Sequence, residues 1–146
     1  MNDTYSLNFD GCSKGNPGKA GAGAVIYKNN IEIFSISIFV GIKETNNVAE
    51  YTGLLIGLQE AVKLGIKKIA VKGDSLLVIK QMKGEYQVKA PALVKLFQAA
   101  KQLAGQFTEI TFTHVYRNDN KRADQLSNEG LGGHPARSAS LTPTKG

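Results

Sequence analysis

The sequence predicts an α/β domain whose mixed sheet begins with three antiparallel strands and continues with parallel strands that follow helices. Three observations predict this class. Apolar and polar residues alternate in the N-terminal part of the chain. The apolar spacing changes to a helical period from Asn47 onward. Short alternating segments then separate further helical patterns, which is the order expected of parallel strands joined by helical crossovers.

The first three strands are expected to form an antiparallel meander. Residues 5–9 alternate, and a Gly-rich loop is expected over residues 11–23. The second strand is predicted at residues 24–27 and the third at residues 31–39. Residues 28–30 between them read Lys-Asn-Asn, and asparagine tolerates the positive φ that a tight turn requires.

Helical periodicity dominates the rest of the chain. From Asn47 the apolar residues recur at helical spacing until Gly65, which is expected to end the first helix; they are Tyr51, Leu54, Leu55, Leu58 and Val62. The later elements are, in order, a strand at 68–72, a helix at 76–82 capped by Asp74 or Ser75, a helix from Pro91 to Gly105, a strand at 110–114 and a helix at 121–129.

The chain length of 146 residues predicts a single domain, which we expect to occupy residues 1–130. The hydrophobic content of 42% suffices for a core, and no apolar run is long enough to span a membrane. Residues 131–146 are rich in Gly, Pro, Ser and Thr and are expected to form a flexible C-terminal tail.

Cysteine content and charge narrow the functional classes. Cys12 is the only cysteine, which excludes an internal disulfide framework and a zinc site built from several thiolates. A cytoplasmic location is therefore expected. The net charge of +6 gives a modest bias toward polyanionic partners such as nucleic acid.

Four acidic residues are candidates for a metal site. Asp10 follows the first predicted strand and Asp74 follows the fourth, so both are expected at strand carboxyl ends, where open α/β sheets bind ligands. Glu50 falls at the edge of the apolar face of the first helix, and Asp124 falls at the start of the last helix. Three or four carboxylate oxygens around one cleft suit Mg²⁺ or Mn²⁺.

Each acid alone also has a simpler explanation. Asp74 is placed to cap a helix, Asp10 suits a turn, and Asp124 is favoured by the helix dipole in a first turn. Glu50 is harder to explain in this way, because a carboxylate beside an apolar face costs free energy unless it is paired or metal-bound. The individual residues therefore leave both interpretations open.

Four ordered motifs connect these acids. They read DGCSKGNPG at residues 10–18, TNNVAE at 45–50, GDS at 73–75 and HVYRNDNKRAD at 114–124. Together they closely resemble ribonuclease H of type 1, and the resemblance runs from the first strand to about Gly130. It implies the ribonuclease H-like fold, a five-stranded mixed sheet of three antiparallel and then parallel strands with helices on both faces.

The resemblance also implies an activity, namely hydrolysis of the RNA strand of an RNA/DNA hybrid duplex to give 5′-phosphate and 3′-hydroxyl ends. In the family pattern Asp10, Glu50, Asp74 and Asp124 match the metal-binding carboxylates. Two Mg²⁺ ions per active site are implied, with Mn²⁺ as a substitute. A monomer without membrane attachment is expected.

The resemblance further implies two groups of substrate contacts. The first group is expected to meet the ribose 2′-hydroxyls of the hybrid, which distinguish RNA from DNA; it consists of Gly11, Cys12, Ser13 and Asn16. The second group is expected to contact the hybrid or a DNA phosphate, although its asparagines also suit helix capping; it consists of Lys43, Thr45, Asn46 and Asn47.

The chain departs from the long bacterial members of the family at residues 83–89, where a basic insertion is absent. This places it with the short, archaeal-like branch, and we expect substrate affinity to be modest and strongly salt-dependent. Either His114 or Arg117 matches the residue that assists catalysis in the family. His114 lies at the end of an alternating strand, which favours a structural role, so we expect Arg117 to assist.

Other interpretations remain open at this point. A nuclease on the same fold that prefers double-stranded RNA or DNA would share the carboxylates, and a catalytically silent module would bind hybrid without cutting it. A nucleotide-binding domain of unrelated chemistry is a third alternative. The Gly-rich segment does not match it, since Gly18-Lys19 lacks the other residues of a phosphate-binding loop and Gly21-Ala-Gly23 lacks the dinucleotide fingerprint.

Overall fold

The computed structural model describes residues 2–132 and 136–139 of the chain. The strands are β1 (Tyr5–Lys14), β2 (Gly18–Lys28), β3 (Ile31–Glu44), β4 (Lys68–Gly73), β5 (Glu109–His114) and β6 (Ala136–Ala139). The α-helices are α1 (Asn46–Lys63), α2 (Leu76–Met82), α3 (Pro91–Ala104) and α4 (Lys121–Gly130), and a short 3₁₀ helix covers Arg117–Asp119.

The strands form one sheet in the order β5-β4-β1-β2-β3-β6. β1, β2 and β3 are antiparallel neighbours, while β4 pairs with β1 and β5 pairs with β4 in parallel. The predicted fold class of three antiparallel strands followed by parallel ones is therefore confirmed. β1 occupies the centre, with an antiparallel partner on one side and a parallel partner on the other.

Helices cover both faces of the sheet, as the family resemblance implied. α1, α2 and α3 pack on one face over a large core that includes Leu7, Phe9, Leu54, Leu58 and Val71. α4 packs on the other face, where the described cluster is smaller and consists of Val25, Ala123 and Leu126. Within the part of the chain that the structure describes, no helix is long and apolar enough to cross a membrane.

The segment predicted as a Gly-rich loop at residues 11–23 is mostly strand, so that prediction is wrong. β1 and β2 continue into it and leave only residues 15–17 as a turn. Glycine and alanine at these positions allow helices to approach both faces of β2. An added Cβ at Gly23 would lie 2.5 Å from the Leu126 Cβ of α4, so a strand with no large side chain is required here.

Local signals at element ends are mostly confirmed. Ser75 caps α2 by accepting a hydrogen bond from the Val78 N–H, and Pro91 opens α3. Asn29 and Asn30 have φ values of 53° and 66° in the β2–β3 turn.

The structure differs from the predicted flexible tail at residues 136–139. These residues form β6, which pairs antiparallel with β3 from Phe34 to Ser37. The composition did not reveal this strand because edge pairing uses backbone N–H and C=O groups and requires no apolar side chains. Residues 133–135 and 140–146 of the predicted tail lie outside the described residues.

Two glycines of α1 provide a test of how tightly this helix must approach the sheet. An added Cβ at Gly53 would lie 2.6 Å from the Asp10 carbonyl oxygen and 2.9 Å from that of Gly23, both backbone atoms. At Gly57 the Cβ would instead meet the Leu7 side chain at 2.5 Å. We expect Gly53→Ala to reduce the free energy of unfolding by about 2–3 kcal/mol, because two strands would have to move. Gly57→Ala should cost less, since a side chain can adjust.

Thermal or urea denaturation of the two variants, each compared with the wild-type chain, measures this difference. Both substitutions add the same helix propensity, about 1 kcal/mol in favour of alanine, so that contribution cancels between them. An equal loss in the two variants, or a larger loss for Gly57→Ala, would contradict this account of the packing.

Candidate active site

Three of the predicted carboxylates converge beside the carboxyl end of β4. The last residue pair between β1 and β4 joins Phe9 to Gly73. Asp10 and Asp74 each follow this pair by one residue, so both acids lie where the two strands separate. Asp10, Glu50 and Asp74 each offer one carboxylate oxygen, and these three oxygens lie within 4.8 Å of one another.

Glu50 enters this cleft from the first turns of α1. Its side chain is buried at 9% exposure, although the residue is acidic. Among the described residues no hydrogen-bond donor reaches its Oε1 atom. A buried oxygen without a partner is unfavourable by roughly 1–3 kcal/mol, and more when the group is charged. The position therefore requires either a proton or a bound cation.

The electrostatics of the cluster favour protonated carboxyl groups when no cation is present. Burial, followed by the nearby charge of Asp74, raises the pKa of Asp10 to about 7. Burial, followed by the charge of Asp10, raises the pKa of Glu50 well above its usual range. Burial also raises the pKa of Asp74. Negative charges at this separation repel one another, and a divalent cation relieves that repulsion.

The residues present fit a divalent metal ion. Hard oxygen ligands from carboxylates are the donors that Mg²⁺ and Mn²⁺ prefer. The orphaned Glu50 Oε1 supplies a ligand atom that nothing else in the described structure uses. The simpler explanations of Asp10 as a turn residue and Asp74 as a helix cap do not hold, because Asp10 lies within β1 and Ser75 caps α2.

Asp124 lies beside the cluster rather than within it. It belongs to the first turn of α4, and it is not one of the three residues whose oxygens lie within 4.8 Å. Its Oδ2 is 3.6 Å from Nη2 of Arg117, and its Oδ1 accepts a hydrogen bond of 3.3 Å from Asn128. Its charge contributes to the raised pKa values of Asp10 and Asp74, so it is electrostatically coupled to them.

The predicted substrate contacts lie around the β1–β2 turn and the start of α1, where three of them form an interlocked group. The Ser13 N–H donates to Asn46 Oδ1 at 2.7 Å, and the Asn46 N–H donates to Asn16 Oδ1 at 2.9 Å. The Ser13 hydroxyl donates to the Glu44 carbonyl oxygen at 2.6 Å. The turn is therefore fixed to the start of α1 by both backbone and side-chain groups.

The predicted capping role of Asn46 and Asn47 is wrong. Thr45 is the N-cap of α1, and its hydroxyl accepts a hydrogen bond from the Val48 N–H at 3.2 Å. Asn46 and Asn47 are already inside the helix. Threonine takes the cap because its backbone is extended, which aligns its oxygen with the free N–H groups of the first turn.

The other predicted contacts occupy different environments. Gly11 is buried, while the Cys12 thiol lies 3.5 Å from the Ser127 carbonyl oxygen, beneath α4. Burial raises the pKa of this thiol, so the neutral form is favoured. Lys43 is exposed near the end of β3, and Thr45 is exposed at the start of α1.

His114 and Arg117 differ in their relation to the carboxylates. His114 is the last residue of β5, half-buried on the same side as Phe112, and its ring meets the edge of the Tyr116 ring at a centroid distance of 5.3 Å. This agrees with the strand parity that favoured a structural role. Arg117 is exposed and lies against Asp124 at 3.6 Å.

Sequence reasoning missed several residues that hold the acids in position. Asn120 is buried and donates a hydrogen bond to the Phe9 carbonyl oxygen at 3.0 Å. The Ser127 hydroxyl lies 2.9 Å from the Asp124 carbonyl oxygen and 3.4 Å from Asp10 Oδ2. Next to Glu50, the Tyr51 hydroxyl donates to Gln81 at 2.6 Å. The only local signal that could have found one of them is the position of Asn120 immediately before the helix predicted at 121–129, where asparagine is a favoured cap.

Comparisons with known proteins identify the family to which the chain belongs. The family model described as reverse transcriptase-like matches residues 8–130. A Mycobacterium tuberculosis protein whose name describes it as bifunctional is 46% identical to this chain over 126 residues. The matched residues make up 86% of this chain and 35% of that protein. The chain thus spans about a third of the length of that relative.

Two solved structures are similar over nearly their whole length. The crystal structure of RNase H1 from the archaeon Halobacterium salinarum is 36% identical with a TM-score of 0.84, covering 90% of this chain and 99% of that one. LC11-RNase H1, solved in complex with an RNA/DNA hybrid, is 34% identical with a TM-score of 0.82, covering 88% and 97%. With its fold, its acidic cluster and these similarities, the chain belongs to the type 1 ribonuclease H family.

Proposed function

We propose that this chain is a metal-dependent endonuclease that hydrolyses the RNA strand of RNA/DNA hybrids and leaves 5′-phosphate and 3′-hydroxyl ends. The observation that carries the proposal is the buried Glu50 carboxylate, gathered with Asp10 and Asp74 within 4.8 Å and left with an unpartnered oxygen. The hybrid bound by LC11-RNase H1 supports the substrate class. Residues 1–130 form the catalytic domain of this proposal, acting as a monomer in the cytoplasm.

The metal ligands in this proposal are Asp10, Glu50, Asp74 and Asp124, which hold two Mg²⁺ ions or Mn²⁺ in their place. When bound, such ions activate a water molecule and neutralise charge on the scissile phosphate and the leaving oxygen. Asp10 and Glu50 would give up protons when such ions bind, because burial and repulsion among the acids raise the pKa of both carboxyl groups. The chain supplies no nucleophile of its own.

Substrate recognition in this proposal uses the interlocked turn. The hydrogen bonds among Ser13, Asn16 and Asn46 hold the turn in one conformation before the hybrid arrives. Asn16 is exposed, so its amide nitrogen is available for a ribose 2′-hydroxyl, and the backbone of residues 11–13 lies nearby. Lys43, Thr45 and Asn47 surround the start of α1, where a DNA phosphate is favoured by the helix dipole.

Arg117 is the residue that we propose to assist turnover. Its guanidinium is exposed and 3.6 Å from Asp124 Oδ2, which places a positive charge at the rim of the carboxylate cluster. There it is available to stabilise negative charge on the phosphate or to help release the product. His114 is half-buried against Tyr116 and supports the end of β5.

Cleavage of a panel of labelled duplexes tests the proposed activity. The panel contains RNA/DNA, RNA/RNA, DNA/DNA and DNA with one ribonucleotide, each with Mg²⁺, Mn²⁺ or EDTA. We expect cutting of the RNA strand of the hybrid only, abolished by EDTA and reduced at least about a hundredfold by Asp74→Asn, which removes one ligand charge. Asp119→Asn, a change at an exposed acid in the 3₁₀ helix before α4, should leave the rate unchanged.

Other results of this experiment decide between the alternatives. Hybrid bound at low salt without cutting in either metal would favour a catalytically silent module, and cutting of RNA/RNA or DNA/DNA would favour a different nuclease specificity. Equal loss in Asp74→Asn and Asp119→Asn would contradict the assignment of the metal ligands.

Alanine substitutions compare Arg117 with His114. We expect Arg117→Ala to lower kcat for the hybrid by about tenfold to a hundredfold, because a positive charge beside the reacting phosphate is lost. His114→Ala should lower kcat less and lower the melting temperature more, since its half-buried ring packs at the end of β5. Arg117→Lys, which keeps the charge, should retain part of the rate. Equal or reversed losses of kcat would refute the proposed role of Arg117.

A further inference from the structure

Asn120 connects the strand that carries Asp10 to the helix that carries Asp124. It is 1% exposed and lies immediately before α4. Its Nδ2 donates to the Phe9 carbonyl oxygen at 3.0 Å, which belongs to the peptide group preceding Asp10. Its Oδ1 accepts a hydrogen bond of 2.9 Å from Asn8 Nδ2. Both ends of the Asn120 amide are therefore used by β1.

The backbone of the same residue begins α4. The Asn120 carbonyl oxygen accepts a hydrogen bond of 3.0 Å from the Asp124 N–H, so Asp124 lies one helical turn from Asn120. An asparagine at this position usually caps its own helix, which stabilises it by about 1 kcal/mol. The side chain of Asn120 makes no such capping bond. Its amide instead fixes the distance between the helix and β1.

This link matters because Asp124 is held differently from the other three acids. Asp10, Glu50 and Asp74 belong to elements joined by the large core and by the β1–β4 pairing. Asp124 depends on the docking of α4, whose described apolar cluster is small. In the middle of α4, the Ser37 hydroxyl of β3 donates to the Leu126 carbonyl oxygen at 2.6 Å. Near Asp124, two buried side chains link this part of the chain to β1: Asn120 bonds to the β1 backbone, and the Ser127 hydroxyl lies 3.4 Å from Asp10 Oδ2.

We propose that Asn120, oriented by Asn8, is a positioning residue that sets the separation of the Asp10 and Asp124 carboxylates. It thereby determines how tightly the metal position that includes Asp124 binds its ion. The inference rests on the proposed metal-dependent function. In this role Asn120 and Asn8 act only through β1 and α4, which they join.

This role is tested by titrating the protein with Mg²⁺ in the absence of nucleic acid. The backbone amide NMR signals of Glu50 and Asp124 report the binding. In Asn120→Ala we expect the Mg²⁺ concentration at the midpoint of the Asp124 signal change to rise about tenfold. A metal ligand that loses the hydrogen bonds holding it in position binds its ion more weakly. The midpoint followed at Glu50 should move by less than about twofold, because its supporting elements are unchanged. Asn118→Ala, a change at an exposed asparagine in the 3₁₀ helix before α4, is the matched control.

Asn8→Ala keeps the test decisive if Asn120→Ala folds poorly. It leaves the bond from Asn120 to Phe9 in place and removes only the group that orients the amide. We expect a smaller shift in the same direction at Asp124. The double variant should match Asn120→Ala alone, since two residues that act as one unit are not additive.

Cleavage kinetics, measured below the melting temperature of each variant, provide a second readout. The Mg²⁺ concentration for half-maximal hybrid cleavage should rise, whereas KM for the hybrid at saturating Mg²⁺ should not change. A lower melting temperature with unchanged midpoints at both residues, or equal shifts at Glu50 and Asp124, would overturn the proposed role. The NMR titration does not require cleavage, so failure of the proposed activity in the wild-type chain is detected separately.

Discussion

Three carboxyl groups lie close together between the ends of β1 and β4, and their mutual repulsion is the constraint on which the site depends. Asp10, Glu50 and Asp74 bring one oxygen each within 4.8 Å of the others, and Glu50 is buried without a partner for Oε1 among the described residues. Such a cluster costs free energy in the absence of protons or cations. The surrounding core must therefore be stable enough to hold these groups together.

The two faces of the sheet contribute differently to this task. The α1 face contains the large core, and the helix approaches β1 closely at Gly53, so Glu50 and Asp10 are held by backbone that has little room to move. The α4 face has a smaller described cluster and relies more on hydrogen bonds from buried polar side chains. Three acids are consequently fixed by packing, while the position of Asp124 depends on the polar contacts of one helix.

Much of the fold could be predicted from sequence because apolar periodicity directly reports which face of an element is buried. The predicted limits of α2, residues 76–82, also agree with the structure, because the capping residue Ser75 marks the start of this helix locally. The strands in the Gly-rich segment were missed, since their small residues serve helix approach and give no alternating pattern. β6 was missed because its pairing with β3 is made by the backbone.

Part of the carboxylate site could also be predicted from the sequence. Asp10 and Asp74 could be placed together because the ends of neighbouring parallel strands meet at one edge. The displacement of Asp124 from the other three could not be predicted, since it depends on contacts between Asn120 and β1 that are distant in sequence.

The most direct test of the shared carboxylate site is calorimetric measurement of Mn²⁺ binding at pH 6.5 in buffers of different ionisation enthalpy, which counts the protons released on binding. With the pKa of Asp10 at about 7 and that of Glu50 raised well above its usual range by burial, we expect release of about one proton or more, fewer in Glu50→Gln, and affinity that rises with pH. Binding without proton release, unchanged by Glu50→Gln, would contradict it.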